Sequence, residues 1–392
     1  MLILQPRNRS LNNPNEKTNN MTQLSQRYAI ENYIDTFALG HYARVLAATD
    51  LATQQTVAFK VMRPEHVQAD GDARWEFRAF GSEAQILARL SSSPHVVALR
   101  DCGYVSTIAE APADGDIEAF GDDVEGFVSQ MTTYAHAGWR PYLALEHLPR
   151  AENLFYAMKP TQAGTRRRLP SEEAITLALQ FANLLTMAHQ NDIVYLDHKL
   201  EHVYWDGTQL KVIDFNSSKQ LGNANNAIEF TRDVHNLCVG ILYPIFTGMS
   251  PQKTALRPQA GGLDVVENRY TDIDTLDFMM EPSLSRAMQA LLQRGARQEI
   301  PTVEAFITQL HEVAALHGRD FSDLHTNPAN RQARDQLRKG LTRLRDGEAA
   351  IREARDLFRD ALVLDGITED MEDELRRLVK AVNDVINNRA IP

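Results

Sequence analysis

Ile193-Val-Tyr-Leu-Asp-His-Lys-Leu-Glu-His-Val-Tyr-Trp-Asp-Gly-Thr-Gln-Leu-Lys-Val-Ile-Asp-Phe-Asn216 decides the fold of this chain. Asp197 is followed two residues later by Lys199. The flanks Ile193–Leu196 and Val203–Trp205 read as short strands, and a further strand-like run, Leu210–Ile213, delivers Asp214-Phe-Asn216. The stretch also contains His198-x-x-Glu-His202, a spacing that in a helix would put two imidazoles on one face. Strand-like flanks on both sides argue against that helix, and so against a zinc site of this kind.

Outward from this stretch, alternating apolar residues predict strands at 44–48 and 56–62, joined by a turn. Trp75, Phe77, Phe80, Ile86, Leu87 and Leu90 recur at helical spacing over 72–90. Two more strands are predicted at Val96–Leu99 and Tyr142–Leu145. Between them, residues 106–138 are rich in Asp, Gly and Ala and read as a surface loop or small flap. Ser171, Glu172 and Glu173 open a helix running to about His189. Helices then continue to about Leu316.

These pieces resemble the protein kinase family, in the family's order, over about 28–316. Val57-Ala-Phe-Lys60 resembles the strand whose Lys grips the α- and β-phosphates. Glu83-Ala-Gln-Ile-Leu87 resembles the helix whose Glu pairs with that Lys. Tyr142-Leu-Ala-Leu-Glu146 looks like the hinge strand beside adenine. Asp233–Gly248 resembles the buried helix under the catalytic loop, whose Asp accepts backbone N–H bonds. The resemblance implies a bilobed α+β fold with a β-rich N-lobe at 28–148, a helical C-lobe at 149–318 and an all-α extension. It implies that Asp197 orients the acceptor hydroxyl, Lys199 neutralises the migrating phosphoryl group and Asp214 binds the metal, with His202 at the second metal position. Gly40, Val45, Ala58, Lys60, Glu83, Glu146, Leu148 and Tyr204 are then the nucleotide-binding residues. ATP with Mg2+, or Mn2+, is the implied cofactor.

The chain departs from the family at several positions. In Phe37-Ala-Leu-Gly-His-Tyr-Ala-Arg-Val45 only Gly40 remains of the phosphate-covering glycines, so weaker ATP binding is expected. His202 offers imidazole where magnesium prefers oxygen, so either one metal site is weak or manganese supports activity better. Tyr204 stands under the adenine position. Leu196 replaces the Arg that reads a phosphorylated activation loop. Only 19 positions separate Asp214 from Asp233, and no Ala-Pro-Glu motif is visible. Asn216 replaces the flexible glycine, and its tolerance of left-handed backbone is expected to preserve the turn. Three readings remain open: a divergent Ser/Thr protein kinase, a pseudokinase acting through its helical tail, and a small-molecule phosphotransferase.

The ends and the composition bound the rest. Residues 1–27 are rich in Asn, Gln and Ser and read as disordered, with Met21 a candidate start. Residues 328–389 suggest three amphipathic helices at 330–345, 347–363 and 369–387. Ala354-x3-Phe358-x2-Ala361, after Leu337 and Gly340, resembles part of a tetratricopeptide repeat and offers a surface for a protein partner. A net charge of -11 disfavours nucleic acid and anionic membranes as partners. No apolar run reaches membrane length, no leader peptide is visible, and two cysteines, Cys102 and Cys238, fit a reducing, cytoplasmic setting. Arg166-Arg-Arg168 reads as a solvated charge run, with docking of an acidic partner as the sharper reading.

Overall fold

The computed structural model describes residues 22–33, 42–67, 73–158, 167–222, 226–252, 256, 259, 263–316, 347, 349–362 and 369–388. Its N-terminal half is an antiparallel sheet of seven strands. In chain order these are β1 (Thr22–Gln23), β2 (Tyr28–Tyr33), β3 (Ala43–Asp50), β4 (Gln55–Met62), β5 (Leu99–Val105), β6 (Asp116–Ala119) and β7 (Arg140–Glu146). Their spatial order is β1-β6-β5-β7-β4-β3-β2. The β3–β4 hairpin pairs in unbroken register from Ala43 opposite Met62 to Asp50 opposite Gln55. Asp50 sets its turn by accepting the Ala52 N–H at 2.8 Å, while Gln54 takes positive φ.

Alternation along the strands gives the sheet two apolar faces. One face buries Leu46, Ala48, Val57, Phe59, Val61 and Ala144, and Phe59 stacks on Tyr142 at 4.7 Å. The other receives helix α2 (Trp75–Arg89), which turns Phe77, Phe80, Ala84 and Leu87 inward.

Three expectations for this half are corrected. Residues 22–27 are ordered: β1 pairs with β6, a short helix α1 (Leu24–Arg27) follows, and Leu24 is fully buried. Asp101 explains the anchoring. Its buried carboxylate accepts from Arg27 Nε (3.0 Å), Arg27 Nη2 (2.9 Å), Tyr28 Oη (2.7 Å), Tyr142 Oη (2.7 Å) and the Gly121 amide (2.7 Å). The stretch 106–138 is likewise no simple surface loop. It supplies β6 and two helices, α3 (Val124–Ser129) and α4 (Met131–His136). Phe127 is buried, Tyr104 stacks on Tyr134 at 4.2 Å, and the Tyr104 hydroxyl donates to the Phe127 carbonyl at 2.5 Å. Sparse but well-placed aromatics outweigh the polar composition. The strand expected at Val96–Leu99 begins only at Leu99, with Val96 bridging to Val212 instead.

The second half is mainly helical. It contains α5 (Leu154–Met158), α6 (Ser171–Gln190), α7 (Ala227–Asn236), α8 (Tyr243–Thr247), α9 (Leu263–Asn268), α10 (Arg286–Ala296) and α11 (Val303–Leu316). Pro170 precedes α6, and Glu172 and Glu173 complement its N-terminal dipole. Between α7 and α8 a wide π-type turn, Leu237–Leu242, keeps the helix continuous. Gly248, at φ 70, ends α8 in the left-handed conformation that glycine adopts without strain. One large core unites α2, α6, α7, α8, α10 and α11 with the sheet. The fold is the bilobed α+β arrangement that the sequence implies.

Further along, 349–362 is helical and α12 (Glu369–Asn388) follows, matching two of the three predicted tail helices. The third, at 330–345, lies outside the described residues, as do Leu337 and Gly340 of the repeat-like pattern. Among the described residues no helix is long and apolar enough to cross a membrane. Cys102 and Cys238 are both buried free thiols.

Candidate active site

The site is a backbone scaffold first. Strand β8 (Ile193–Val194) pairs with β11 (Lys219–Gln220), and β9 (Val203–Trp205) pairs with β10 (Leu210–Val212). Between them the chain must turn sharply, and Leu196 does so at φ 66. A Cβ-bearing residue there is strained by about 1–2 kcal/mol. The helix beneath holds it. Asp233 accepts the Tyr195 and Leu196 amides, each at 2.9 Å, and Asn236 Nδ2 donates to the Leu196 carbonyl at 3.1 Å. The expected role of Asp233 is therefore realised. The loop also rests on Gly240, where a Cβ would lie 2.5 Å from the His198 carbonyl oxygen. His198 is fully buried and stacks on Phe181, and His202 ends a short 3₁₀ turn, so the two imidazoles do not share a helical face. The zinc-protease reading of that spacing is excluded.

This scaffold gathers the predicted side chains. Lys60 Nζ, from β4, bonds Glu83 Oε2 of α2 at 2.7 Å and Asp214 Oδ1 at 2.8 Å. His202 Nε2 lies 3.1 Å from Asp214 Oδ2, and its Nδ1 lies 3.6 Å from Asp197 Oδ2. Lys199 Nζ is 3.1 Å from Asp197 Oδ2. A residue with no signal in the sequence joins them: Arg269 Nη2 donates to Asp197 Oδ1 at 2.9 Å, across 72 positions of chain. Tyr42 is a second unanticipated member. It is buried against Trp75 and Phe80 and presents its ring 5.8 Å from Lys60 Nζ. Its place two residues after Gly40, in the phosphate-covering loop, was a signal available in the sequence.

Charges in this cluster sort by their neighbours. Burial disfavours the Lys60 ammonium, but the Asp214 and Glu83 carboxylates outweigh it and hold its pKa well above the ordinary lysine range. Burial likewise opposes ionisation of Asp214, yet Lys60 and His202 keep its carboxyl well below the usual range. Glu83 goes the other way, because its complete burial outweighs Lys60. Asp197 is buried too, but His202, Lys199 and Arg269 together lower its pKa. Of the two carboxylates on Lys60, Asp214 carries the firmer negative charge.

The remaining predicted residues stand around this centre. Val45 lies opposite Lys60 in the hairpin register, and Ala58 lies opposite Leu145. Leu148 packs half-buried on the main core. Tyr204 lies opposite Lys211, whose Nζ bonds Glu146 Oε2 at 2.8 Å, so the β9–β10 hairpin is tied to the end of β7. The Glu146 amide is already committed to the Ala98 carbonyl at 2.8 Å. Gly40 lies outside the described residues. Asn216 is a correction: its backbone is not left-handed, and the strained residue of this turn is Asp214, at φ 63. Arg168 of the basic run is tied to Glu281 at 3.3 Å, and Arg166 lies outside the described residues.

Oxygen donors suit a hard divalent ion at Asp214, whereas His202 offers nitrogen and is already engaged with Asp214. Among the described residues no group of three or more His, Cys, Asp or Glu side chains could hold a metal unaided. Asp214 is the residue that would hold such an ion, whose charge would neutralise phosphate bound beside it.

Comparison with known proteins agrees with this geometry. Residues 34–243, more than half of the chain, match the family described as protein kinase domain. The chain is 22% identical over 278 residues to protein kinase C zeta type of Oryctolagus cuniculus, a match covering 68% of this chain and 40% of that protein. The chain thus spans about two-fifths of the length of that curated relative.

Proposed function

The chain belongs to the protein kinase domain family, and from that premise we propose that it transfers the γ-phosphate of ATP to a Ser or Thr hydroxyl of a protein. The single observation that carries this reading is Lys60 Nζ held at 2.7 Å by Glu83 and at 2.8 Å by Asp214. That pairing presets a cation where triphosphate charge must be received, so little reorganisation is needed on binding. The nucleotide with its divalent ion would supply the activated phosphoryl group. Asp214 would hold the ion, Lys60 would bind phosphate oxygens, and Lys199 would neutralise charge on the migrating group. Asp197 would orient the acceptor hydroxyl; with its pKa lowered, its main contribution is alignment rather than early proton removal. Val45, Ala58, Leu148 and Tyr204 would line the adenine side. Since the Glu146 N–H is spent on Ala98, backbone donation to adenine would fall to His147 or Leu148.

A second reading, a nucleotide-binding pseudokinase, is favoured by one feature. Both Asp214 oxygens are engaged within the protein, by Lys60 and His202. The deciding experiment incubates the full chain with labelled ATP and magnesium or manganese, beside Asp197→Ala and Lys60→Ala. Label on protein that disappears in both variants supports transfer. Nucleotide-induced thermal stabilisation without label supports the second reading.

A further inference from the structure

Asp197 meets the family's requirement for a carboxylate, but it is closed off. It is 3% exposed. Oδ1 is taken by Arg269 at 2.9 Å, and Oδ2 faces Lys199 at 3.1 Å and His202 at 3.6 Å. The same stretch of chain that brings Arg269 lies along the catalytic loop. Arg269 Nη1 donates to the Gln259 carbonyl at 2.8 Å, and the Gln259 amide donates to Glu201 Oε1. Lys199 Nζ reaches the Gln259 carbonyl at 3.4 Å, and the Tyr270 hydroxyl donates to the His198 carbonyl at 2.8 Å. Gln259, Arg269 and Tyr270 thus stand against the catalytic loop beside Asp197.

At 3% exposure Asp197 leaves an incoming hydroxyl little room, so the hydroxyl competes with these cations for its oxygens. Lys199 is needed beside the migrating phosphoryl group, and His202 is bound to Asp214. Among the described residues the Arg269 guanidinium bonds only Asp197 and Gln259. The Arg269 side chain is 6% exposed, and its Nε lacks a hydrogen-bond partner among the described residues. Once Arg269 gives up Asp197, a buried cation is left without a counter-charge, which a neutral acceptor cannot repair. An anion carried next to the acceptor hydroxyl can, and Arg presents a planar fork suited to carboxylate or phosphate.

We propose that Arg269 is a specificity-determining residue that selects protein acceptors bearing a negatively charged side chain beside the Ser or Thr hydroxyl. The proposal rests on the phosphotransfer reading above and names its substrate class. It also sets a local preference against the global charge, since a chain of net charge -11 repels acidic peptides at long range.

The test uses the full chain with a non-hydrolysable ATP analogue and manganese. Fluorescence anisotropy reads the binding of four labelled Ser peptides, flanked by Asp, by phosphoserine, by Ala or by Lys. Transfer from ATP to the same peptides is measured in parallel. The wild type is expected to favour the Asp- or phosphoserine-flanked peptide over the Ala-flanked one by about tenfold, equivalent to about 1.4 kcal/mol. Arg269→Ala should abolish that preference, and Arg269→Lys should keep part of it. A preference for Asp identifies the anion as carboxylate, and one for phosphoserine identifies phosphate; either supports the proposal. Equal binding of all four peptides by the wild type overturns it, as does an acidic preference that survives Arg269→Ala. Selective binding of an acidic peptide with no transfer to any peptide leaves Arg269 as the selector and defeats phosphotransfer instead.

Discussion

Replacing Asp233 by Ala should uncouple the catalytic loop from the helix beneath it. In the structure this one carboxylate accepts the Tyr195 and Leu196 amides, both at 2.9 Å, and pairs with His189 Nε2 at 3.0 Å. Each bond to a charged acceptor contributes roughly 1.5–3 kcal/mol, and each buried amide left unpaired costs a further 1–3 kcal/mol. The substitution also exposes the strain at Leu196, about 1–2 kcal/mol, which the two amide bonds now hold in place. These terms are not additive, because the loop relaxes once freed. A net loss of about 3–5 kcal/mol is expected, in line with breaking other buried charged networks. Asp233→Asn keeps one acceptor oxygen and should lose about half as much. Urea unfolding measures the loss as a fall in midpoint at constant slope. Hydrogen exchange at the Tyr195 and Leu196 amides locates it. A loss below about 1 kcal/mol for Asp233→Ala, with those amides still protected, would refute the reasoning, because the bonds would then not be holding the loop.

Three further outcomes follow from the same geometry. Asp233 and Asp197 both have pKa values lowered below the ordinary 3.8, so each stabilises the fold above about pH 4 and that contribution is lost as acid carries pH down through the folded values; thermal unfolding from pH 6 to 3 should show a steeper decline for wild type than for Asp233→Asn. His202→Asn restores an oxygen ligand beside Asp214 and should raise magnesium-supported transfer relative to manganese, by about tenfold or more in the ratio of the two rates; an unchanged ratio would remove His202 from the account of metal preference. Gly240→Ala would place a Cβ 2.5 Å from the His198 carbonyl and 2.6 Å from the Tyr270 ring, and should destabilise the chain by about 1–3 kcal/mol in urea unfolding.

Much of the site was legible before any coordinates. Lys60, Glu83, Asp197, Lys199, His202 and Asp214 each stand in a short local pattern: a strand carrying Lys, a helix carrying Glu, a loop with two charges, and a strand leading into Asp-Phe. Local patterns survive in sequence because strand and helix periodicity fix which side chains share a face. The polar stretch 106–138 was harder to read. Its order rests on a few aromatics, Phe127 and Tyr134 on Tyr104, whose partners come from another part of the chain. The anchoring of 22–27 was hidden for the same reason: Asp101 and Asp116 meet Arg27 and Gln23 only once the sheet has formed.

By itself, then, the sequence determined the order of elements, the two-lobed α+β architecture and most of the charges gathered around Lys60 and Asp214. Only the tertiary structure decided how those charges are shared. It put the strain on Asp214 rather than Asn216, and laid Tyr42 over Lys60. It also brought Arg269 to Asp197 from 72 positions away. The reason is physical: periodicity is a property of neighbours along the chain, whereas an ion pair depends on distance in space and on burial, and neither exists until the chain has folded.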